Sequence, residues 1–106
     1  MENNDANYGG GLYSSGNILS LSNCNVTTNS ASFFGGGLVS QNNSPVLDQC
    51  TISGNTTDYG GGLYCNDSNP ILTDCTISNN NATVDGGGMY SYSSSPTLDN
   101  CSFTSN

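Results

Sequence analysis

The chain has 106 residues, eight Asp or Glu and no Lys, Arg or His, for a formal charge of −8. Without cations it cannot neutralise phosphates, which removes the main source of nucleic-acid affinity, and an anionic membrane surface would repel it. Leu, Ile, Val and Phe make up only 19 of the 106 residues, a composition that favours disorder unless those residues recur in register.

They do recur. Residues 1–8 read as the tail of a preceding repeat, because Asn4-Asp5-Ala6 resembles Asn29-Ser30-Ala31 and Asn80-Asn81-Ala82. Repeats then follow at 9–34, 35–59, 60–85 and 86–106, each opened by Gly-Gly-Gly, with the triplets spaced 26, 25 and 26 residues apart. Leu12, Leu38, Leu63 or Met89 follows each triplet, and Cys24, Cys50, Cys75 and Cys101 each lie thirteen residues beyond its last glycine. A fixed period of this length signals a solenoid, here one domain spanning 1–106.

Side-chain alternation predicts three short strands in each repeat. The first places Leu12, Leu38, Leu63 and Met89 inward, with Tyr13, Val39, Tyr64 and Tyr90 outward. The second is centred on Leu21, Leu47, Leu72 and Leu98 and is introduced in three repeats by Pro45, Pro70 and Pro96, which suit a strand start but not a helix interior. The third carries Cys24 and Val26, Cys50 and Ile52, Cys75 and Ile77, and Cys101 and Phe103 inward. The density of Gly, Ser, Asn and Thr excludes helix, and the leucine spacing is too sparse for a leucine-rich repeat. The expected object is an all-β parallel β-helix of about four coils of 25–26 residues, roughly 19 Å tall at the usual strand spacing. Asn4 and Asn106 share a column, so the chain reads as a section cut in phase from a longer array. It shows no polar cap, signal peptide or membrane-spanning run, and its bare strand edges invite end-to-end association.

Two columns read as structural ladders. Asn29, Asn55, Asn80 and Asn106 follow the third strand, where asparagine tolerates a tight turn and bonds its equivalents in neighbouring coils. Cys24, Cys50, Cys75 and Cys101 read as a stack of buried thiols. Their one-coil separation also falls in the disulfide window, which leaves their redox state open. Cys65, in place of a Ser, reads as core filling. No metal or cofactor is expected: a linear Cys stack without His cannot supply a tetrahedral zinc set, and Leu with Tyr or Val follows the glycines where a calcium-binding repeat has Asp.

Two outward columns are candidate contact surfaces. Tyr13, Tyr64 and Tyr90 form a strip on which sugar rings or protein can pack. Thr27, Thr51, Thr76 and Thr104 lie in a double row of small polar residues on the third strand, which resembles the ice-binding face of solenoid antifreeze proteins, with Ser and Asn interrupting the threonines. Six Asn-x-Ser/Thr sequons fall at Asn25, Asn42, Asn55, Asn66, Asn81 and Asn100.

Gly-Gly-Gly-Leu at 35–38 and Phe103-Thr-Ser-Asn106 resemble the paired G-G-A-[ILV] and F-x-x-N motifs of chlamydial polymorphic outer membrane proteins. The chain departs from them in having Gly for Ala, and Val26, Ile52 and Ile77 where Phe is typical. The resemblance implies a right-handed β-helix, an extracellular or cell-surface location and a role in adhesion. Pectate lyases share that fold, but their chemistry uses basic residues or clustered carboxylates, neither evident here. The expectation is a non-catalytic structural segment acting as a rigid scaffold and stacking on itself or meeting a surface protein or glycan. The alternatives are glycan binding through the tyrosines and ice binding through the hydroxyl rows.

Overall fold

The computed structural model describes residues 1–106 as a parallel β-solenoid. The first coil contains β1 (Asp5–Tyr8), β2 (Leu12–Ser15), β3 (Ser20–Ser22) and β4 (Asn25–Thr27). The second contains β5 (Ser30–Phe34), β6 (Leu38–Gln41), β7 (Val46–Asp48) and β8 (Thr51–Ser53). The third contains β9 (Thr56–Tyr59), β10 (Leu63–Asn66), β11 (Ile71–Thr73) and β12 (Thr76–Ser78), and the fourth β13 (Asn81–Asp85), β14 (Met89–Tyr92), β15 (Thr97–Asp99) and β16 (Ser102–Thr104). Equivalent strands stack in parallel into four sheets: β1-β5-β9-β13, β2-β6-β10-β14, β3-β7-β11-β15 and β4-β8-β12-β16, called here the first to fourth walls.

Each coil therefore has four strands where alternation predicts three. The additional first wall lies between the asparagine column and the glycine triplet. Its inward residues are small or polar, such as Ala31 and Thr57, both 5% exposed, so it carries no hydrophobic signature. Its pairing is also interrupted by register shifts, between Ala6 and Tyr8 and between Ala82 and Asp85, which breaks the period-two pattern. The alternation of 25- and 26-residue repeats arises here. Asn29 and Asn80 stand six residues before their triplets, Asn4 and Asn55 five, and the longer interval is spanned by the five-residue strands β5 and β13.

Each corner between walls is turned by one residue in the left-handed region. Asn23, Gln49, Asp74 and Asn100 turn it before the fourth wall, with φ of 50–53°. Thr28, Gly54, Asn79 and Ser105 turn the next, and the first glycine of each triplet, Gly9, Gly35, Gly60 and Gly86, the one before the second wall. Gly16, Asn42, Asp67 and Ser93 complete the circuit. The other two glycines of each triplet are needed for close approach: a Cβ on Gly61 would lie 2.4 Å from the Gly87 carbonyl oxygen, and one on Gly37 2.6 Å from that of Gly62. An Ala at this third triplet position, as in the surface-protein motif, would force the coils apart.

Backbone hydrogen bonds in the corners also run from coil to coil, as from Gly9 to Phe34, Asn23 to Asp48 and Thr56 to Asn29. The core is a narrow stack. Val26, Leu38, Leu47, Ile52, Leu63, Leu72 and Ile77 are fully buried, while Leu12, Leu21 and Met89 in the end coils are only partly so.

The asparagine ladder runs through this core. Asn55 donates from Nδ2 to the Val26 carbonyl at 2.9 Å and to Asn80 Oδ1 at 2.9 Å, and its own Oδ1 accepts from the backbone N and Nδ2 of Asn29 at 2.9 and 3.0 Å. Asn80 repeats the pattern toward Ile52 and Asn106. Replacing Asn55 with Ala strands several buried groups at once, so chemical denaturation should show a loss of about 3 kcal/mol. By contrast, Thr28→Gly, which relieves a β-branched residue at φ 55° and copies Gly54 one coil on, should raise stability by about 1 kcal/mol in the same assay.

Candidate functional site: an aromatic groove on the second wall

The residue before each glycine triplet is aromatic in three coils: Tyr8, Phe34 and Tyr59, with Asp85 in the fourth. These four pair in register along the first wall. Across the glycine corner, Tyr13, Val39, Tyr64 and Tyr90 form the outward column of the second wall. The sharp turn at the triplet brings the two columns together. Phe34 lies 4.5 Å from Tyr64 between ring centroids and 5.5 Å from Tyr59, and Tyr8 stacks on Phe34 at 5.7 Å. Tyr64 and Tyr90 are stacked almost parallel, at 5.5 Å and 2°. Such offset pairs add to the burial of the rings.

Between the columns lies a groove of about 480 Å³ lined by Tyr8, Tyr13, Phe34, Val39, Gln41, Tyr64 and Asn66. Val39, expected on an open outward face, is 2% exposed, because the surrounding rings wall it in and make it the groove floor. The missing tyrosine in that column creates the depression. Tyr13 donates from its hydroxyl to Gln41 Oε1 at 2.5 Å. Asn66 Oδ1, buried at the groove edge, has no hydrogen-bond partner. Burial and the neighbouring Tyr90, Tyr92 and Cys65 raise the pKa of the Tyr64 phenol above its ordinary value.

Of the candidate contact residues, Tyr13 and Tyr64 meet in this groove, and Tyr90 extends it by stacking on Tyr64. Thr27, Thr51, Thr76 and Thr104 are elsewhere, on the fourth wall, where Asn25, Thr51, Thr76 and Ser102 form one row and Thr27, Ser53, Ser78 and Thr104 the other. Tyr8, Phe34 and Tyr59 went unread in the sequence, although their recurrence before each triplet is the signal that marks them.

The five cysteines are free thiols. Those of the column donate to backbone carbonyls, as Cys75 does to Thr73 at 3.2 Å and Leu47 at 3.5 Å. Cys65, fully buried, lies on the inner face of the second wall between Ser40 and Ser91. Of the sequon asparagines, Asn55 is fully buried in the ladder, so the folded chain offers no access to it. No group of three or more Cys, Asp or Glu converges in a way that could hold a metal ion. No helix is long and apolar enough to cross a membrane.

The whole chain, residues 1–106, matches the family model described as the right-handed β-helix region, and the protein belongs to that family. No curated protein and no solved structure matches it significantly.

Burial of the thiols has a measurable consequence. Desolvation pushes Cys65 from its ordinary 9.0 up to about 12, against a lowering hydrogen bond from Ser91. Burial raises Cys50 and Cys75 in the same direction. The folded chain then keeps these protons to higher pH than the unfolded chain does. For Cys65 that contribution to stability is intact below about pH 9 and is lost as the pH climbs toward 12. For Cys65 the three-unit difference corresponds to about 4 kcal/mol. Stability measured against pH should fall over that window, and Cys65→Ser, which restores the residue found at Ser14, Ser40 and Ser91, should flatten the fall.

Proposed function

We propose that this chain is a rigid, non-catalytic β-helical scaffold of an extracellular or cell-surface protein, with the aromatic side of the coil as its contact face. The observation that carries this reading is where the buried polar groups are used. Asn29, Asn55 and Asn80 bond from coil to coil, and Ser40 bonds Asn43 in its own coil and Ser68 in the next. Their hydrogen-bonding capacity holds the stack together, as a solenoid stabilised only by its neighbours requires. The carboxylates are dispersed: Asp48 and Asp99 share a column but stand two coils apart with Thr73 between them. Catalysis by paired acids has no support from that arrangement. Burial and a raised pKa make Cys50, Cys65 and Cys75 resistant to oxidation. The adhesive role of the polymorphic outer membrane proteins is carried over on the motif resemblance alone.

A second reading, self-association, rests on the last coil. The free edges of β13–β16 are flanked by Leu98, 46% exposed, and Phe103, 39% exposed. A second copy seated there would continue the ladders and cover both side chains.

Light scattering and electron microscopy of the 106-residue chain across a concentration series should show thin assemblies that lengthen with concentration, and Leu98→Lys should suppress them. Monodisperse particles throughout would sink the self-association reading. Incubation with polygalacturonate should release no unsaturated sugar, and its release would overturn the non-catalytic reading.

A further inference from the structure

The aromatic groove combines three features that together restrict what it can hold. Its walls are rings, with Phe34 and Tyr64 4.5 Å apart and tilted by 37°. Its floor is the side chain of Val39, and its polar groups are the amides of Gln41 and Asn66 and the hydroxyls of Tyr8, Tyr13 and Tyr64. Gln41 accepts the Tyr13 hydroxyl through Oε1 and keeps its Nε2 hydrogens for a ligand acceptor. The chain has no side-chain cation anywhere and a charge of −8, so a carboxylated or sulfated ligand would enter unpaired and repelled.

The geometry points to a neutral saccharide as the occupant. A pyranose ring is apolar on its C–H faces and polar at its edge. One face can pack against Phe34 and Tyr64 while the edge hydroxyls accept from Gln41 Nε2 and bond the tyrosine hydroxyls at the rim. Apolar burial supplies the attraction and the amides supply orientation. Tyr13, half exposed and tied to Gln41, forms the rim and orients that amide toward the ligand. The assignment rests on the reading of this face as a contact surface and adds the chemical class that it contacts.

The test is a titration of the isotopically labelled 106-residue chain, followed by NMR, with cellohexaose, xylohexaose, mannohexaose and chitohexaose, beside hexagalacturonate and tetramethylammonium. The inference expects saturable shifts from at least one neutral oligosaccharide, confined to Tyr8, Tyr13, Phe34, Gln41, Tyr64 and Asn66, and none from hexagalacturonate. Tyr64→Ala should weaken that binding at least tenfold. Tyr13→Ala, at a half-exposed position whose loss leaves the coil intact, should weaken it several-fold. Groove shifts from tetramethylammonium without any from the neutral sugars would overturn the assignment in favour of a cationic ligand, and so would sugar binding unchanged in both variants. Failure of every sugar to bind overturns the occupant alone. The non-catalytic reading fails separately, if new reducing ends accumulate during the titration.

Discussion

The structure depends on hydrogen bonding from each coil to the next. No coil is closed on itself: the strand ladders, the corner amides and the asparagine side chains all reach to a neighbour some 25 residues away. Backbone pairing at this spacing requires two things of the sequence. The corners must turn without side-chain collision, which explains the left-handed residues and the glycine triplets. The interior must also leave no polar group unpaired where the coils tighten. Asparagine meets the second demand with one side chain, because its amide copies the backbone donor and acceptor, while the residue before it, Thr28, Gly54, Asn79 or Ser105, turns the corner. Two buried side-chain atoms, Thr57 Oγ1 and Asn66 Oδ1, escape this rule and have no partner.

The parallel coil and its core columns were legible in the sequence because they repeat with strong chemical contrast. Leu38, Leu63, Leu47, Leu72, Ile52 and Ile77 are apolar residues in an otherwise polar chain, and their spacing gives both coil length and inward face. The first wall was not legible, since Ala31 and Thr57 carry little apolar signal and the bulges shift its phase. That one omission hid half of the candidate site. Tyr8, Phe34 and Tyr59 belong to the unread wall, and only the glycine corner, folded, brings them beside Tyr13 and Tyr64. Val39 shows a related limit: a residue on the outward phase of a strand can still be buried when rings from two walls close over it.

A scaffold of this kind separates stability from recognition. The inner columns of Leu, Ile, Cys and Asn are constrained from coil to coil, whereas the outward columns vary without disturbing them, as Tyr13, Val39, Tyr64 and Tyr90 illustrate within one column. Removing a single ring from that column makes a groove. The absence of any side-chain cation leaves that groove without a charge partner for an anion.

The central claim is that stability resides in the coil-to-coil ladder and is greatest where a coil has neighbours on both sides. Native-state hydrogen exchange measured residue by residue tests this most directly. The account predicts the slowest exchange for the amides of Asn29, Asn55 and the strands β6 to β12, with protection declining into the first and last coils. Uniformly weak protection, or slowest exchange in an end coil, would contradict it.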